Sequence, residues 1–468
     1  MAAVEATIIA TAMPTVANDL DGFGLFAWVF SAYMLGQAAT IPLYGRLADM
    51  YGRRKIFFAG VFFFLLGSTL CGFSTSMLQL VIFRAIQGLG AGGVQPIANT
   101  IVGDIYTPVE RARVQGLLSG VFGVSAVIGP SLGAFIVQYG DWPVIFWMNL
   151  PVGAAAIVMI ALFLPEEVET RPRHVDYPGS LLLLTTIGAL MLLLVQGTAL
   201  NRSALTITTA IVLVGGLALV LHERRVAEPM LPLELWRNRV IASSGIGSLV
   251  TGILMMGVTS YLPTYVQGVM GRGASVTAVI LASMSVVWVL GSTTAGLCLP
   301  RTSYRGIATT GALALIAGAA MLIGMTPARG PVWACAGAVL IGAGMGFCNT
   351  TFMVSAQTSV AWHQRGAATS SIMFLRFLGQ ALGAAAFGAV LNFTLPGGVS
   401  GSSHQLDQIM RSSARAAMPQ ADLVSLVDSV SGAMRNAYVL TFSMAILALL
   451  LALTYPVRLG PTNQTRLN

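Results

Sequence analysis

Long apolar runs dominate this chain, and polar residues gather in the short stretches between them. The runs fall at roughly 1–17, 26–46, 56–74, 77–102, 114–138, 142–164, 179–197, 204–221, 240–267, 275–299, 305–325, 331–355, 367–393 and 435–456. An apolar run of about 20 residues spans a bilayer core as a helix, whereas barrel strands would show ten-residue alternation. Backbone groups in hydrocarbon must bond internally, so the pattern predicts an all-α membrane protein with 14 transmembrane helices. Signals such as Pro165-Glu166-Glu167 and Pro327-Ala328-Arg329-Gly330 separate the runs. The longest polar stretch is the loop 394–432. Its Leu423, Leu426, Val427 and Val430 recur at helical spacing, which fits either an interfacial amphipathic helix or a plain connector.

A repeat lies beneath this pattern. At an offset of 254 residues Gly88, Gly90 and Gly92 map onto Gly342, Gly344 and Gly346, Arg111 maps onto Arg365, and Gly129 onto Gly383. With 52 glycines in the chain one match would carry no weight; three alternate glycines and an arginine in one register do. The expected architecture is two pseudo-symmetric six-helix bundles plus two inserted helices. Residues 1–165 form the N-terminal bundle and 166–239 the inserted helices seven and eight with their linkers. Residues 240–468 form the C-terminal bundle, which includes loop 394–432.

Composition narrows the function. Only 9% of residues are charged and 56% are hydrophobic, against about 25% charged in soluble domains. The net charge of +8 comes without a soluble domain to present it, so no nucleic-acid partner is expected. Twenty-four of the 25 basic residues are Arg; the lone Lys55 precedes Ile56 and cannot form a phosphate-binding P-loop. Cys71, Cys298, Cys335 and Cys348 read as small packing residues. His174, His222, His363 and His404 lie in expected loops and form no metal site.

Seventeen basic residues flank the runs on one side and six on the other, with Arg84 and Arg376 inside runs. The richer side is expected to be cytoplasmic, with both termini there, in a plasma membrane of the bacterial inner-membrane kind.

Four motifs carry a resemblance. Residues 45–55, Gly-Arg-Leu-Ala-Asp-Met-Tyr-Gly-Arg-Arg-Lys, join runs two and three. Gly45 and Gly52 suit a tight turn between closely spaced helices, Asp49 can cap a helix, and Arg53, followed by Arg54, seeks an acid. Asp104, at the same end of run four, is the expected partner, which would make a breakable cytoplasmic latch. The segment Val81–Gly90 carries Arg84 and Gln87, and Gly120–Ala134 contains Gly129, Pro130 and Gly133. Val4–Pro14 carries Glu5. Together these resemble the Major Facilitator Superfamily: its signature loop, its helix-four motif with a buried arginine, its helix-five antiporter motif, and the helix-one motif of the fourteen-spanning drug/proton antiporters (EmrB/QacA type). Ser125 and Ala134 stand where the antiporter motif usually has glycine, and Glu5 where helix one usually has Asp. Both Ser and Ala are small enough for close helix packing.

The resemblance implies proton-coupled efflux of amphiphilic or hydrophobic compounds by alternating access. The alternative is a narrow exporter of one metabolite, siderophore or lipid. The proton gradient replaces any cofactor. A periplasmic adaptor protein is a candidate partner, and a monomer is the expected unit. No convergent nucleophile, base and metal set marks an enzyme, so no catalytic residues are assigned.

The residues agree with a coupling role. Of 17 acids only Glu5 sits inside an apolar run, and an intramembrane acid is usually functional. Burial disfavours its charged form and a nearby Arg84 favours it, so the two effects oppose each other. Glu5 and Arg84 are therefore the proton-coupling pair, with a static ion pair or an arginine bonded to carbonyls and Gln87 as the structural alternatives. Arg376 is a second buried cation without an acid in its half; it meets anionic substrate groups or bonds to carbonyls and Gln380. Tyr33, Gln37, Gln87, Asn349 and Phe374 complete the candidate substrate cavity with Arg376.

Two asymmetries follow. The C-terminal half keeps Gly296 and Arg305 near the latch register but has Pro300 where Asp49 would match, and its glycine track lacks an Arg84. Run one is also short: from Glu5 to residue 17 is about 18 Å. A core of about 30 Å asks for roughly eight more residues before Met1, so a truncated start is expected.

Overall fold

The computed structural model describes residues 2–20, 25–164, 176–196, 200–226, 233–299, 301–395 and 419–455. His174, Pro300, His404 and residues 396–418 of the long loop lie outside the described residues. Those described are helical throughout, with no strand among them. In order they form α1 (Ala2–Asp19), α2 (Phe26–Tyr51), α3 (Arg53–Gly72), α4 (Met77–Ile105), α5 (Pro108–Tyr139), the short α6 (Val144–Trp147), α7 (Asn149–Phe163), α8 (Tyr177–Gln196) and α9 (Arg202–Glu223). There follow α10 (Arg239–Thr264), α11 (Ala274–Cys298), α12 (Tyr304–Ile323), α13 (Gly330–Thr358), α14 (Arg365–Thr394) and α15 (Gln420–Leu453).

Among the described residues eleven helices are long and apolar enough to cross a membrane, counting α6 and α7 as one; α1, α2 and α5 are not among them. Large apolar side chains such as Phe62, Phe163, Leu213 and Val332 stand exposed around the outside. In water so much exposed apolar surface would drive association, and lipid is the solvent that accommodates it.

The glycine repeat makes the same contacts twice. A methyl group on Gly88 or Gly92 would collide with Tyr33 or Thr40 of α2, and one on Gly90 with the backbone of α3. In α13 the equivalents meet Met284 and Trp288 of α11, and Gly311 of α12. Alternate glycines thus let one helix approach two neighbours at backbone distance, where a side chain would hold them apart. The two groups of helices meet where α5 lies on α11 and α2 on α14. Helices α8 and α9 pair with each other, and α8 also lies against α2 and α14.

Three details depart from expectation. The signature segment is less a loop than a helix end. Helix α2 continues to Tyr51, Gly52 alone turns the chain at φ 99°, and α3 starts at Arg53. Only glycine adopts such a φ without strain. Residues 423–430 form no separate amphipathic helix but belong to α15, continuous over 34 residues. His222 is not a loop residue. It sits in the last turn of α9, with Nε2 2.9 Å from both Asp176 carboxylate oxygens, and closes the α8–α9 pair.

Candidate functional site

Glu5 lies near the start of α1, and the packing of α1 against α5 and α6 carries it into the protein interior. Arg84 reaches it from α4. Arg84 Nη1 donates to Glu5 Oε1 at 2.6 Å, and the two side chains are each 2% exposed. The same nitrogen donates to Gln87 Oε1 at 2.6 Å, Nε to the Val29 carbonyl at 3.3 Å, and the guanidinium lies 4.1 Å from the centre of the Tyr33 ring. The second carboxylate oxygen accepts from Asn149 Nδ2 at 3.3 Å; that amide also donates to Ser68 Oγ at 3.0 Å. Five helices converge on one buried charge pair. Arg84 holds neutral acceptors and an aromatic face besides the acid, so protonating Glu5 would not leave the cation orphaned.

A second cluster closes the two groups of helices at the end that carries Arg53. Asp49, in the last turn of α2, accepts from the backbone N–H of Gly366 at 2.9 Å and of Ala367 at 2.7 Å, the first turn of α14. A carboxylate there satisfies orphan helix donors and meets the positive end of the helix dipole. Arg53 binds Asp49 at 2.7 Å and Asp104 at 2.9 Å, donates to the Trp362 carbonyl at 2.9 Å, and lies 4.2 Å from the centre of the Trp362 ring. Arg365 returns to Asp104 Oδ1 at 3.2 Å and to the Gly103 carbonyl at 3.1 Å. Gly45 lets α2 touch α14, since a methyl group there would overlap Ser370. Gln357 adds a bridge from α13 to the Asn99 carbonyl at 3.0 Å. Beside this cluster, burial and then the nearby Arg365 push Arg111 down to about 10, which leaves it cationic at neutral pH. Arg54 turns away, toward the Leu164 carbonyl at 3.4 Å.

Between the helix groups lies a cavity of about 30 Å³ lined by Gln115, Ser248, Trp288, Ser292, Asn349, Thr350, Met353, Ile372, Met373 and Arg376. The candidate substrate residues divide accordingly. Asn349 and Arg376 line the cavity. Tyr33 and Gln87 belong to the Glu5–Arg84 cluster instead. Gln37 is buried in α2, and Phe374 does not line the cavity but packs both among Leu182, Leu183 and Ala38 and against the cluster of Met353, Ile372 and Met373 that does. Arg376 does not bond Gln380, whose amide faces the Met255 sulfur at 3.9 Å.

In the antiporter segment of α5, Gly133 abuts the backbone of Ile8 in α1, a Cβ there standing 3.0 Å from its carbonyl. Gly129 is buried, and the side chain of Pro130 lies outside the described residues. Sequence reasoning missed Asn149, Ser68, Gln115 and the α14 amides. Asn149 opens α7 inside an apolar run, and a buried amide in such a place is the signal that could have found it.

Residues 1–384 match the family model described as the Major Facilitator Superfamily. Multidrug resistance protein 3 of Bacillus subtilis is 33% identical, over 96% of this chain and 91% of its own length. Multidrug transporter protein MdtP of the same organism is 31% identical, over 83% and 73%. Among solved structures, the human organic anion transporter MFSD10 superposes with a TM-score of 0.62 at 15% identity, covering 94% of this chain and 96% of that one. At that identity the likeness is one of fold.

Proposed function

The chain belongs to the Major Facilitator Superfamily of transporters, and we propose that it exports amphiphilic compounds in exchange for protons, as a fourteen-spanning drug/proton antiporter. The observation that carries this reading is the buried Glu5–Arg84 pair. The acid is enclosed by α1, α4 and α7, and a buried carboxylate of this kind is a natural proton carrier. Two relatives named for multidrug resistance or transport supply the direction and the substrate breadth.

The mechanism follows from the contacts. With Glu5 ionised, α1 and α4 are tied together through Arg84. Protonation removes the ionic part of that tie and leaves Arg84 on Gln87, the Val29 carbonyl and the Tyr33 face. The balance between α1 and α4 then changes at the centre of one helix group. At the Arg53 end, the Asp49–α14 contact must break before the cavity opens there. On this reading that end is cytoplasmic, α8 and α9 are the inserted pair, and residues 1–165 and 240–468 are the rocking halves. Proton entry within one half and latch release between the two halves are thus separate events.

The test uses inverted membrane vesicles, in which internal acidification drives uptake of a fluorescent amphiphile. Glu5→Gln keeps the size of the side chain and loses the titrating group. It is expected to abolish gradient-driven uptake while the protein remains folded and able to exchange substrate down its own gradient. Gradient-driven uptake at the wild-type rate in this variant would refute the assignment.

A further inference from the structure

Arg376 is only partly buried, and it differs from Arg84 in having no acid to neutralise it. Arg376 sits in α14 at the wall of the central cavity, and among the described residues it forms no ion pair. Its Nε is buried without a hydrogen-bond acceptor. Its nearest aromatic ring, Phe377, is 5.9 Å away, a loose contact beside the 4.1 Å of Arg84 over Tyr33. A cation set among helices without a counter-ion is costly, and its orphaned Nε calls for a partner.

The surroundings support that reading. Gly252 of α10 lies against the Arg376 carbonyl so closely that a methyl group would overlap it, and Gly379 packs in the same way on Leu249. The backbone carrying the guanidinium is therefore pinned by helix packing. Gln115, Asn349 and Thr350 share the cavity, and the Thr350 hydroxyl is likewise buried without a partner. Asn349 already spends one amide hydrogen on the Met345 carbonyl at 3.0 Å, and its amide can still turn a second toward a ligand. No carboxylate lines the wall, while Trp288 and Met353 offer apolar surface beside the polar groups. At about 30 Å³ the space holds about two waters, so a head group enters as the helices around the cavity part.

We propose that this cavity is an anion-binding subsite, in which Arg376 receives the carboxylate, sulfonate or phosphate group of an amphiphilic substrate. The apolar body of that substrate lies along Trp288 and Met353. The inference rests on the exporter reading and narrows it to acidic amphiphiles. A guanidinium fork binds such groups with two parallel hydrogen bonds, which an ammonium cannot reproduce.

Binding and transport are tested separately. Naphthalene-2-sulfonate and a naphthylmethyl trimethylammonium ion share an aromatic body and differ in charge. Titration calorimetry on the full chain in detergent is expected to show the sulfonate bound at least tenfold more tightly. Arg376→Gln removes that preference, weakening the sulfonate at least tenfold and leaving the ammonium no weaker. Arg376→Lys keeps the charge, and with it a reduced sulfonate preference, and it guards against a loss of fold in the neutral variant. Sulfonate affinity within twofold of wild type in Arg376→Gln would overturn the subsite, as would equal affinity for both probes in wild type or in Arg376→Lys. Sulfonate binding with no gradient-driven flux of either probe would instead sink the exporter reading and leave the subsite standing. Driven sulfonate flux indifferent to Arg376→Gln would sink the subsite alone.

Discussion

Helices α4 and α13 pack alike and carry different chemistry. Each places two glycines against one neighbour and a third, between them, against another. At the repeat offset, however, Arg84 of α4 corresponds to Ala338 of α13, and Arg376 of α14 to Phe122 of α5. Arg84 is neutralised by Glu5, whereas Arg376, on a non-equivalent helix, faces a cavity. The lesson is that the backbone geometry of the repeat is kept while the charges have separated. On the proposals made above, one half handles a proton and the other a ligand.

Stability measurements break or sharpen that comparison. The largest expected effect is at Arg84. Arg84→Ala strands Glu5 in a buried site and should cost about 3–5 kcal/mol, read as a lowered thermal midpoint in detergent. Arg376→Met removes a cation that has no partner and should leave the midpoint unchanged or raised. Equal losses at the two sites would show that Arg376 is held by interactions as strong as those of Arg84.

The glycine tracks come next. Gly90→Ala and Gly344→Ala each force a methyl group into a neighbouring helix backbone, and each should cost about 1–3 kcal/mol as overpacking. Similar losses support equivalent packing; a loss confined to one variant would end the equivalence.

The smallest effect concerns the latch. Asp49→Ala leaves two α14 amides without their acceptor and should increase thiol labelling at a Ser370→Cys reporter severalfold, because local opening becomes easier. Unchanged labelling would mean that Arg365, Asp104 and Gln357 hold the contact without Asp49.

Much of this was legible from the residues alone, for physical reasons. Apolar runs of bilayer length announce helices because hydrocarbon permits little else, and the alternating glycines announce close helix contacts. Glu5 stood out because an acid in an apolar run has few uses. The partner of Arg53 was also readable, since Asp104 stands at the matching end of its helix. That Asp49 can cap a helix was readable too, but that the helix is α14 was not, because backbone amides carry no signature in side-chain sequence. Asn149 was missed inside an apolar run, and the residues alone did not separate Phe374, packed against the cavity wall, from the Met353 and Met373 that form it, because apolar residues do not reveal which side of a helix meets the cavity. The continuity of α15 escaped for a similar reason: short-range periodicity describes a face and is silent on where a helix starts.

The choice of amides as partners for Asp49 has an evolutionary consequence. Main-chain donors at 366 and 367 survive any substitution except proline. Selection on the donating helix is then relaxed to a demand on bulk, since a Cβ at 366 would stand 2.6 Å from the Asp49 carboxylate. The accepting segment enjoys no such freedom, because its carboxylate and its Gly52 turn are each irreplaceable in kind. A contact built this way lets one gene half drift while holding the other nearly still, and that is one route by which a duplicated chain becomes lopsided without losing its seal.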